Sequence, residues 1–89
     1  MKTINKQSTT IVDVRTPEEY SEGHVPGAIN IPLDQIPQRL QEFKEMQMPV
    51  VAYCRSGNRS GMAVSLLKQN GIDEVTNGGG LDEMLQQLK

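Results

Sequence analysis

The sequence has 89 residues, 36% of them hydrophobic, and a formal net charge of −2. A chain of this length has room for one domain, residues 1–89, whose core must be filled by aliphatic and methionine side chains because only three residues are aromatic. Such a small net charge excludes the strong positive field that attracts nucleic acids or anionic membranes, so we expect neither as a partner.

The N-terminal segment, residues 1–7, lacks the apolar core of a secretory signal peptide, and no apolar run is long enough to span a membrane. Cys54 is the only cysteine, so an internal disulfide cannot form and a reducing compartment suits the thiol. Cysteine and histidine nowhere have the spacing of metal ligands. We therefore expect a cytoplasmic protein that uses neither a metal ion nor another cofactor.

The N-terminal third predicts two short strands around a short helix. Residues 10–14, Thr-Ile-Val-Asp-Val, are typical of a strand. Residues 16–19, Thr-Pro-Glu-Glu, are typical of a helix start, with a threonine N-cap, proline at the first helical position and glutamate three residues after the cap. Glycine and proline within residues 22–27 end that helix, and residues 28–31 predict a second strand.

The middle of the chain predicts a helix and then the central strand. Ile36, Leu40 and Phe43 lie at helical spacing and would face the sheet. Proline at position 37 fits only in the first turn of that helix. Residues 50–53, Val-Val-Ala-Tyr, predict a buried strand that leads directly to Cys54.

The last third predicts a helix over residues 60–70, stopped by Gly71 in the left-handed conformation. Residues 72–76 predict a strand, and the glycines at 78–80 predict a tight turn that approaches the loop after Cys54. The final helix would carry an apolar stripe of Leu81, Met84, Leu85 and Leu88. The alternation of strands and helices predicts an α/β domain with a largely parallel sheet.

The end of the central strand has the features of a reactive thiol. The N–H groups at the start of the following helix favour negative charge. Arg55 and Arg59 add two positive charges, and Gly57 lets the turn curl so that its N–H groups converge. Such surroundings lower the pKa of a thiol from about 8.5 to roughly 3.5–7.5, which favours the nucleophilic thiolate.

The alternative is that Cys54 is an inert, buried hydrophobe. That alternative predicts apolar neighbours on both sides, but the five residues after Cys54 are Arg, Ser, Gly, Asn and Arg. We therefore predict that Cys54 is an exposed nucleophile in a loop and does not belong to the packed core.

Three other polar residues are candidates for a role at this site. His24 is the only histidine and could act as a base for Cys54, but we favour a structural role in which it hydrogen-bonds backbone and holds its Gly/Pro turn. Asp13 and Arg15 follow the first strand and could flank the site. We expect them to fix loops through ion pairs and to support the site from behind, without contact to substrate.

The segment from Cys54 to Arg59 resembles the active-site loop of the rhodanese family, Cys-x-x-Gly-x-Arg followed by Ser or Ala. Gly57 and Ser60 complete the match. Residues 13–32 are similar to the N-terminal signature of the same family. Two features depart from its usual pattern. The residues before Asp13 are too few for the usual first strand and helix, and Leu81 stands where tryptophan often follows the glycines. The chain thus resembles the small, single-domain phage-shock type.

The resemblance implies a compact rhodanese-like fold with about four to five short, mostly parallel strands flanked by helices. It also implies sulfur transfer through a persulfide on Cys54. The donor would be a small anion such as thiosulfate, and the acceptor would be cyanide or an external thiol, either a small thiol or a thioredoxin-like protein. The anion-binding loop would consist of Arg55, Ser56, Gly57, Asn58, Arg59 and Ser60. We expect Arg55 to meet the donor and Arg59 to brace the loop through its carbonyls or a neighbouring carboxylate.

Two alternatives to a sulfurtransferase stay open. A cysteine-dependent phosphatase or arsenate reductase would use the same thiolate, but phosphatases place five residues between Cys and Arg, and this chain has four. An arsenate reductase would need a partner cysteine, which the sequence lacks. A non-catalytic binding module, or a carrier that receives its persulfide from a protein, fits the sequence as well.

Overall fold

The computed structural model describes residues 9–87. The strands in this range are β1 (Thr10–Asp13), β2 (Ile29–Asn30), β3 (Val50–Cys54) and β4 (Val75–Gly80). The helices are α1 (Pro17–Glu22), α2 (Leu40–Lys44), α3 (Asn58–Gln69) and α4 (Leu81–Gln87), with a 3-10 helix (Leu33–Arg39) directly before α2. This order confirms the predicted α/β class.

Within residues 9–87, four parallel strands form one sheet in the order β2-β1-β3-β4. Strands β1 and β3 lie side by side in its middle. Because parallel strands end at the same edge, the carboxyl ends of β1, β3 and β4 bring Asp13, Cys54 and Gly80 to one edge of the sheet. In sheets of this kind, that edge is where ligands bind.

Both faces of β3 are buried, which explains its uninterrupted apolar sequence. Its side chains alternate between two core clusters on opposite faces of the sheet. One cluster contains Val50, Ala52 and Cys54 with residues of β1, the 3-10 helix, α2 and α3; the other contains Val51 and Tyr53 with Met84 of α4.

The predicted start of α1 and the predicted stop of α3 are confirmed, although α3 begins at Asn58, two residues before the predicted position. The hydroxyl of Thr16 accepts the backbone N–H of Glu19, and the carboxylate of Glu19 accepts the backbone N–H of Thr16, so both halves of the capping box are present. Gly71 follows α3 with φ +86°, and its N–H donates to the carbonyl of Lys68. Side chains other than glycine rarely adopt that φ, so the sequence marks the stop correctly.

The single helix predicted over Ile36, Leu40 and Phe43 is wrong in form, because a 3-10 helix precedes the short α2. Ile36 and Phe43 are buried as predicted. Pro37 lies inside the 3-10 helix, whereas the prediction allowed it only in the first turn of an α-helix. Proline has no N–H to donate four residues back, so a regular α-helix does not run through it.

The tight turn predicted at 78–80 is wrong, because these glycines are the last three residues of β4. They extend the strand past a bulge, so that Gly80 pairs with Cys54. A Cβ atom at Gly80 would collide with the carbonyl oxygen of Arg55, so close packing requires glycine here. The last strand begins at Val75, three residues later than predicted. Its glycine end reaches the loop after Cys54, as expected.

The apolar stripe predicted for α4 is confirmed in part. Met84 is fully buried and Leu81 is half-buried, but Leu85 is 39% exposed. Leu88 lies outside the described residues. None of the helices between residues 9 and 87 has the length and apolar character that crossing a membrane requires.

Candidate active site

Cys54 is the last residue of β3, and a three-residue loop joins it to the first turn of α3. Gly57 ends that loop with φ +98°, in the left-handed region. This conformation turns the chain so that N–H groups of the loop and of α3 point toward the sulfur. The local cause is the one that the sequence suggests, a strand end followed by glycine and a helix.

The sulfur of Cys54 lies among hydrogen-bond donors. The N–H of Gly57 donates to Sγ at 3.0 Å, and the N–H of Ser60 donates at 3.4 Å. The hydroxyl oxygen of Ser60 lies 3.5 Å from Sγ. Backbone and hydroxyl groups therefore converge on the sulfur from one side, which is an arrangement suited to a negative charge there.

The prediction that Cys54 is exposed and outside the core is wrong. Only 1% of the residue is exposed, and it belongs to the core cluster between the sheet and α3, which includes Ala63. The reason is the alternation of β3, which directs Cys54 to the same face as Ala52. The residue thus combines the packing of a core cysteine with the hydrogen bonds of a thiolate site.

The pKa of Cys54 is lowered to about 7, well below the ordinary value of a thiol. Burial is the largest single influence and raises the pKa, but hydrogen bonds overcome it. In decreasing order, these come from the Ser60 hydroxyl and from the N–H groups of Ser60, Ser56 and Gly57. Hydrogen bonds, more than the arginine charges emphasised by the sequence, therefore make about half of the thiol ionised at pH 7.

Arg59 points away from the loop toward α1. Its two terminal nitrogens donate to the two carboxylate oxygens of Glu19 at 2.7 and 3.0 Å. This pair lowers the pKa of Glu19 to about 2 and raises the pKa of Arg59. Of the two arrangements expected for Arg59, the structure contains the neighbouring carboxylate. Asn58, the first residue of α3, is exposed.

Asp13 and Arg15 form a buried ion pair behind the site. Arg15 Nη2 donates to Asp13 Oδ2 at 2.7 Å and to the carbonyl of Gly23 at 2.6 Å. The Tyr53 hydroxyl donates to Asp13 Oδ2 at 2.9 Å and accepts the N–H of Val25. Burial raises the pKa of Tyr53, so this hydroxyl stays protonated. The network fixes the ends of β1 and β3 to the turn before β2.

His24 lies within that turn and contacts α1. Its Nδ1 is 2.8 Å from the carbonyl oxygen of Tyr20, and its ring stacks on the Tyr20 ring at a centroid distance of 3.7 Å. These contacts match the structural role expected for His24. No group of three His, Cys, Asp or Glu side chains between residues 9 and 87 is arranged to hold a metal ion.

Two residues at the site were not predicted from the sequence: Asn77, and Glu19 as the partner of Arg59. Asn77 lies in β4. Its Oδ1 accepts a hydrogen bond from the Ser60 hydroxyl at 2.6 Å, and its Nδ2 donates one to the Gly57 carbonyl at 3.0 Å. In the sequence, Asn77 stands directly before the glycines at 78–80, which were expected to approach the loop after Cys54. Only the pairing of β4 with β3 shows that its side chain reaches that loop.

An open cavity of about 330 Å³ lies beside the loop. Its lining consists of Arg15, Glu19, Glu22, Gly23, Arg55, Leu81 and Asp82. The charges of Arg15 and Glu19 are balanced by their ion pairs. The charges left to face the cavity are one positive, from Arg55, and two negative, from Glu22 and Asp82.

Several known proteins are similar to this chain in sequence and in fold. The family model described as "Rhodanese-like domain" matches residues 1–86. Thiosulfate sulfurtransferase PspE of Escherichia coli is 40% identical over 74 residues, covering 82% of this chain and 71% of PspE. YqhL of Bacillus subtilis, whose function is not assigned, is 39% identical over 84 residues, covering 86% of this chain and 66% of YqhL. The chain thus spans slightly less than two thirds of YqhL.

Among solved structures, a rhodanese with anions from Escherichia coli superposes with a TM-score of 0.77 at 39% identity, covering 84% of this chain and 89% of that one. The fold, the family model and the relatives agree with the motif around Cys54. The protein belongs to the rhodanese-like domain family, which includes sulfurtransferases.

Proposed function

We propose that the protein is a sulfurtransferase that moves sulfane sulfur from a small donor such as thiosulfate to a thiol, with a persulfide on Cys54 as the intermediate. The observation that carries this proposal is that the N–H groups of Gly57 and Ser60 both donate hydrogen bonds to Sγ of Cys54. These donors are fixed before reaction, and they favour negative charge at and beyond the sulfur.

In the first step, the Cys54 thiolate attacks the outer sulfur of thiosulfate. A bond forms between Sγ and that sulfur, the S–S bond of thiosulfate breaks, and its electron pair leaves with sulfite. The products are the Cys54 persulfide anion and sulfite, so atoms and charge balance. The pKa of about 7 leaves enough thiolate at neutral pH for this attack.

In the second step, the thiolate of an external acceptor attacks the outer sulfur of the persulfide. The bond to Sγ breaks and its electron pair returns to Cys54 as thiolate, while the acceptor leaves as a persulfide. The sequence contains no second cysteine, so the acceptor thiol comes from another molecule. Cyanide takes the place of that thiol in an assay and leaves as thiocyanate.

The arginines have different roles in this proposal. Arg55 is exposed at the start of the loop and lines the cavity, so it meets an anionic donor. Arg59 is held by Glu19, so it braces the start of α3 and adds positive charge near Sγ without leaving its partner. Asp13 and Arg15 hold the ends of β1 and β3 to the turn before β2, and Arg15 also lines the cavity.

A second candidate is a carrier that receives its persulfide sulfur from a protein. The cavity charge favours it, because Glu22 and Asp82 outnumber Arg55 where a doubly negative donor would approach. A protein donor would bring its own sulfur to the loop and would not depend on that field.

Steady-state turnover of thiosulfate and cyanide tests the proposal. The wild-type protein should form thiocyanate, and Cys54→Ala should form none while keeping its circular dichroism spectrum. A modest loss of stability is expected in C54A because Cys54 is packed in the core. Equal turnover by wild type and C54A would contradict the proposal. Absence of wild-type turnover, with persulfide formed from a protein persulfide, would favour the carrier.

A further inference from the structure

The Asn77 side chain makes three hydrogen bonds beside the Cys54 loop. Its Nδ2 donates to the carbonyl of Gly57 at 3.0 Å. Its Oδ1 accepts the N–H of Gly79 at 2.9 Å and the hydroxyl of Ser60 at 2.6 Å. The amide is not turned around, since that would set Oδ1 against the carbonyl oxygen of Gly57 and Nδ2 against the N–H of Gly79.

The Ser60 hydroxyl carries one proton, and two acceptors compete for it. Its oxygen is 2.6 Å from Asn77 Oδ1 but 3.5 Å from Sγ of Cys54. An amide oxygen has no proton to give, so at this short distance Ser60 donates to Asn77. Ser60 then turns lone pairs toward the sulfur, which suits a neutral S–H and does not suit a thiolate.

We propose that Asn77 is a positioning residue that controls, through Ser60, whether Sγ of Cys54 receives a hydroxyl proton. While Sγ is neutral, Ser60 donates to Asn77. When Sγ is a thiolate, the hydroxyl can turn to the sulfur only by giving up Asn77. Asn77 therefore opposes the thiolate and favours neutral Sγ.

This inference extends the proposed function to the persulfide. In the persulfide anion the negative charge lies on the outer sulfur and Sγ is neutral, so Ser60 keeps its bond to Asn77. Asn77 thus favours the loaded form over the free thiolate. The charged groups on the elements packed against the loop are Arg59 of α3 with Glu19 of α1, Arg55 of the loop itself, and Glu83 of α4, whose carboxylate accepts the N–H of Gly80 beside Cys54. Substitutions at Asn77 and Ser60 leave all four in place.

The test measures how much Ser60→Ala shifts the thiol pKa in three backgrounds: wild type, Asn77→Ala and Asn77→Asp. The pH dependence of alkylation by iodoacetamide, followed by intact mass, gives each pKa. Asn77→Ala and Asn77→Asp both lose the donor to Gly57, but only the aspartate keeps an oxygen that accepts the Ser60 proton. The comparison between them therefore isolates the Ser60 contact, and the added charge of the aspartate cancels within its own background.

In N77A the freed hydroxyl donates to the thiolate, so S60A should raise the pKa by about one unit. In wild type and N77D, where the hydroxyl must give up the oxygen of residue 77 to reach the sulfur, the S60A shift should be less than half as large. Equal shifts in all three backgrounds would overturn the proposal. Asn77→Val, which suits a strand, carries the same prediction if N77A does not fold. Alkylation needs no sulfur donor, so this result is independent of whether the protein transfers sulfur.

Discussion

At the scale of single residues, the site is a buried thiol whose burial is offset by hydrogen bonds. Desolvation alone would raise the pKa of Cys54 and leave it inert. The donors from Ser60, Ser56 and Gly57 reverse that effect. Reactivity at this position therefore depends on the shape of the loop, which sets how many donors reach Sγ.

The first prediction concerns the pH dependence of Cys54. Because its pKa is about 7, the alkylation rate should rise about tenfold per pH unit below 7 and level off above about 8. The rate of sulfite release from thiosulfate should follow the same curve. Iodoacetamide kinetics from pH 5 to 9 measure it directly, since no other cysteine contributes. A midpoint near the ordinary 8.5 would contradict the hydrogen-bond account.

The sequence was sufficient to predict that Cys54 ends a strand and that Gly57 precedes a helix, because strand end, glycine and helix start are neighbours in the chain. It was not sufficient to predict the contact between Ser60 and Asn77, which are 17 residues apart and meet only because β4 pairs with β3. The prediction that the thiol is exposed was wrong, because the polar composition of the loop does not indicate which face of β3 the Cys54 side chain lies on.

At the scale of elements, the ion pair between Glu19 and Arg59 joins α1 to α3. Glu19 also completes the capping box of α1, so one carboxylate both caps the start of α1 and holds Arg59 in the first turn of α3. The cap was predictable from four adjacent residues. The ion pair was not, because its partners are 40 residues apart.

The second prediction is that Glu19→Gln lowers the unfolding free energy by about 1 kcal/mol at pH 7, a value that reflects partial solvent exposure of both partners. Glutamine keeps a capping oxygen but loses the charge. The folded-state pKa of Glu19, about 2, lies below its ordinary 4.5. The pair therefore stabilises above pH 4.5, and the effect disappears as pH falls toward 2.

Urea unfolding of wild type and E19Q at several pH values between 7 and 2.5 measures this difference. Glu42→Gln is the matched control, because Glu42 also pairs with an arginine, Arg39, but within three residues on the surface. Its loss should lower the unfolding free energy by less than the loss of Glu19 does, because exposed pairs contribute little. A difference between wild type and E19Q that does not shrink in acid would contradict the role of the Glu19 charge.

Other elements show where local patterns were insufficient. The segment before β3 has helical spacing, but Pro37 leaves only a 3-10 helix and a short α2. The glycines at 78–80 suggest a turn by composition, yet β3 and the Arg55 carbonyl require a strand without side chains there. In the first case the missing N–H of proline decided the structure, and in the second the close packing of the glycines against β3 and the loop did.

At the scale of the whole molecule, the chain has a net charge of −2, and the cavity beside the loop also has more negative than positive charge. Arg55 faces Glu22 and Asp82 there, while the other lining charges are already paired. Under the proposed function, we expect the loop to attract an anionic donor and the carboxylates of Glu22 and Asp82, at the rim of the cavity, to repel it. These two carboxylates would then set how well thiosulfate competes with other donors.

The third prediction is that Glu22→Gln combined with Asp82→Asn lowers the KM for thiosulfate by about threefold at low salt and leaves kcat unchanged, because exposed charges act by steering. Steady-state kinetics at low and high ionic strength measure it, and high salt should remove the difference. Glu18→Gln is the control, an exposed glutamate of α1 outside the cavity lining. An unchanged KM in the double variant would show that the rim does not affect donor binding.

The central claim is that Cys54 carries the transferred sulfur, and the intact mass of the protein after incubation with thiosulfate tests it most directly. The account predicts a gain of one sulfur atom, lost again when cyanide is added and thiocyanate appears, and no gain in C54A. Unchanged mass in a protein whose Cys54 is still alkylated at neutral pH would contradict transfer from thiosulfate.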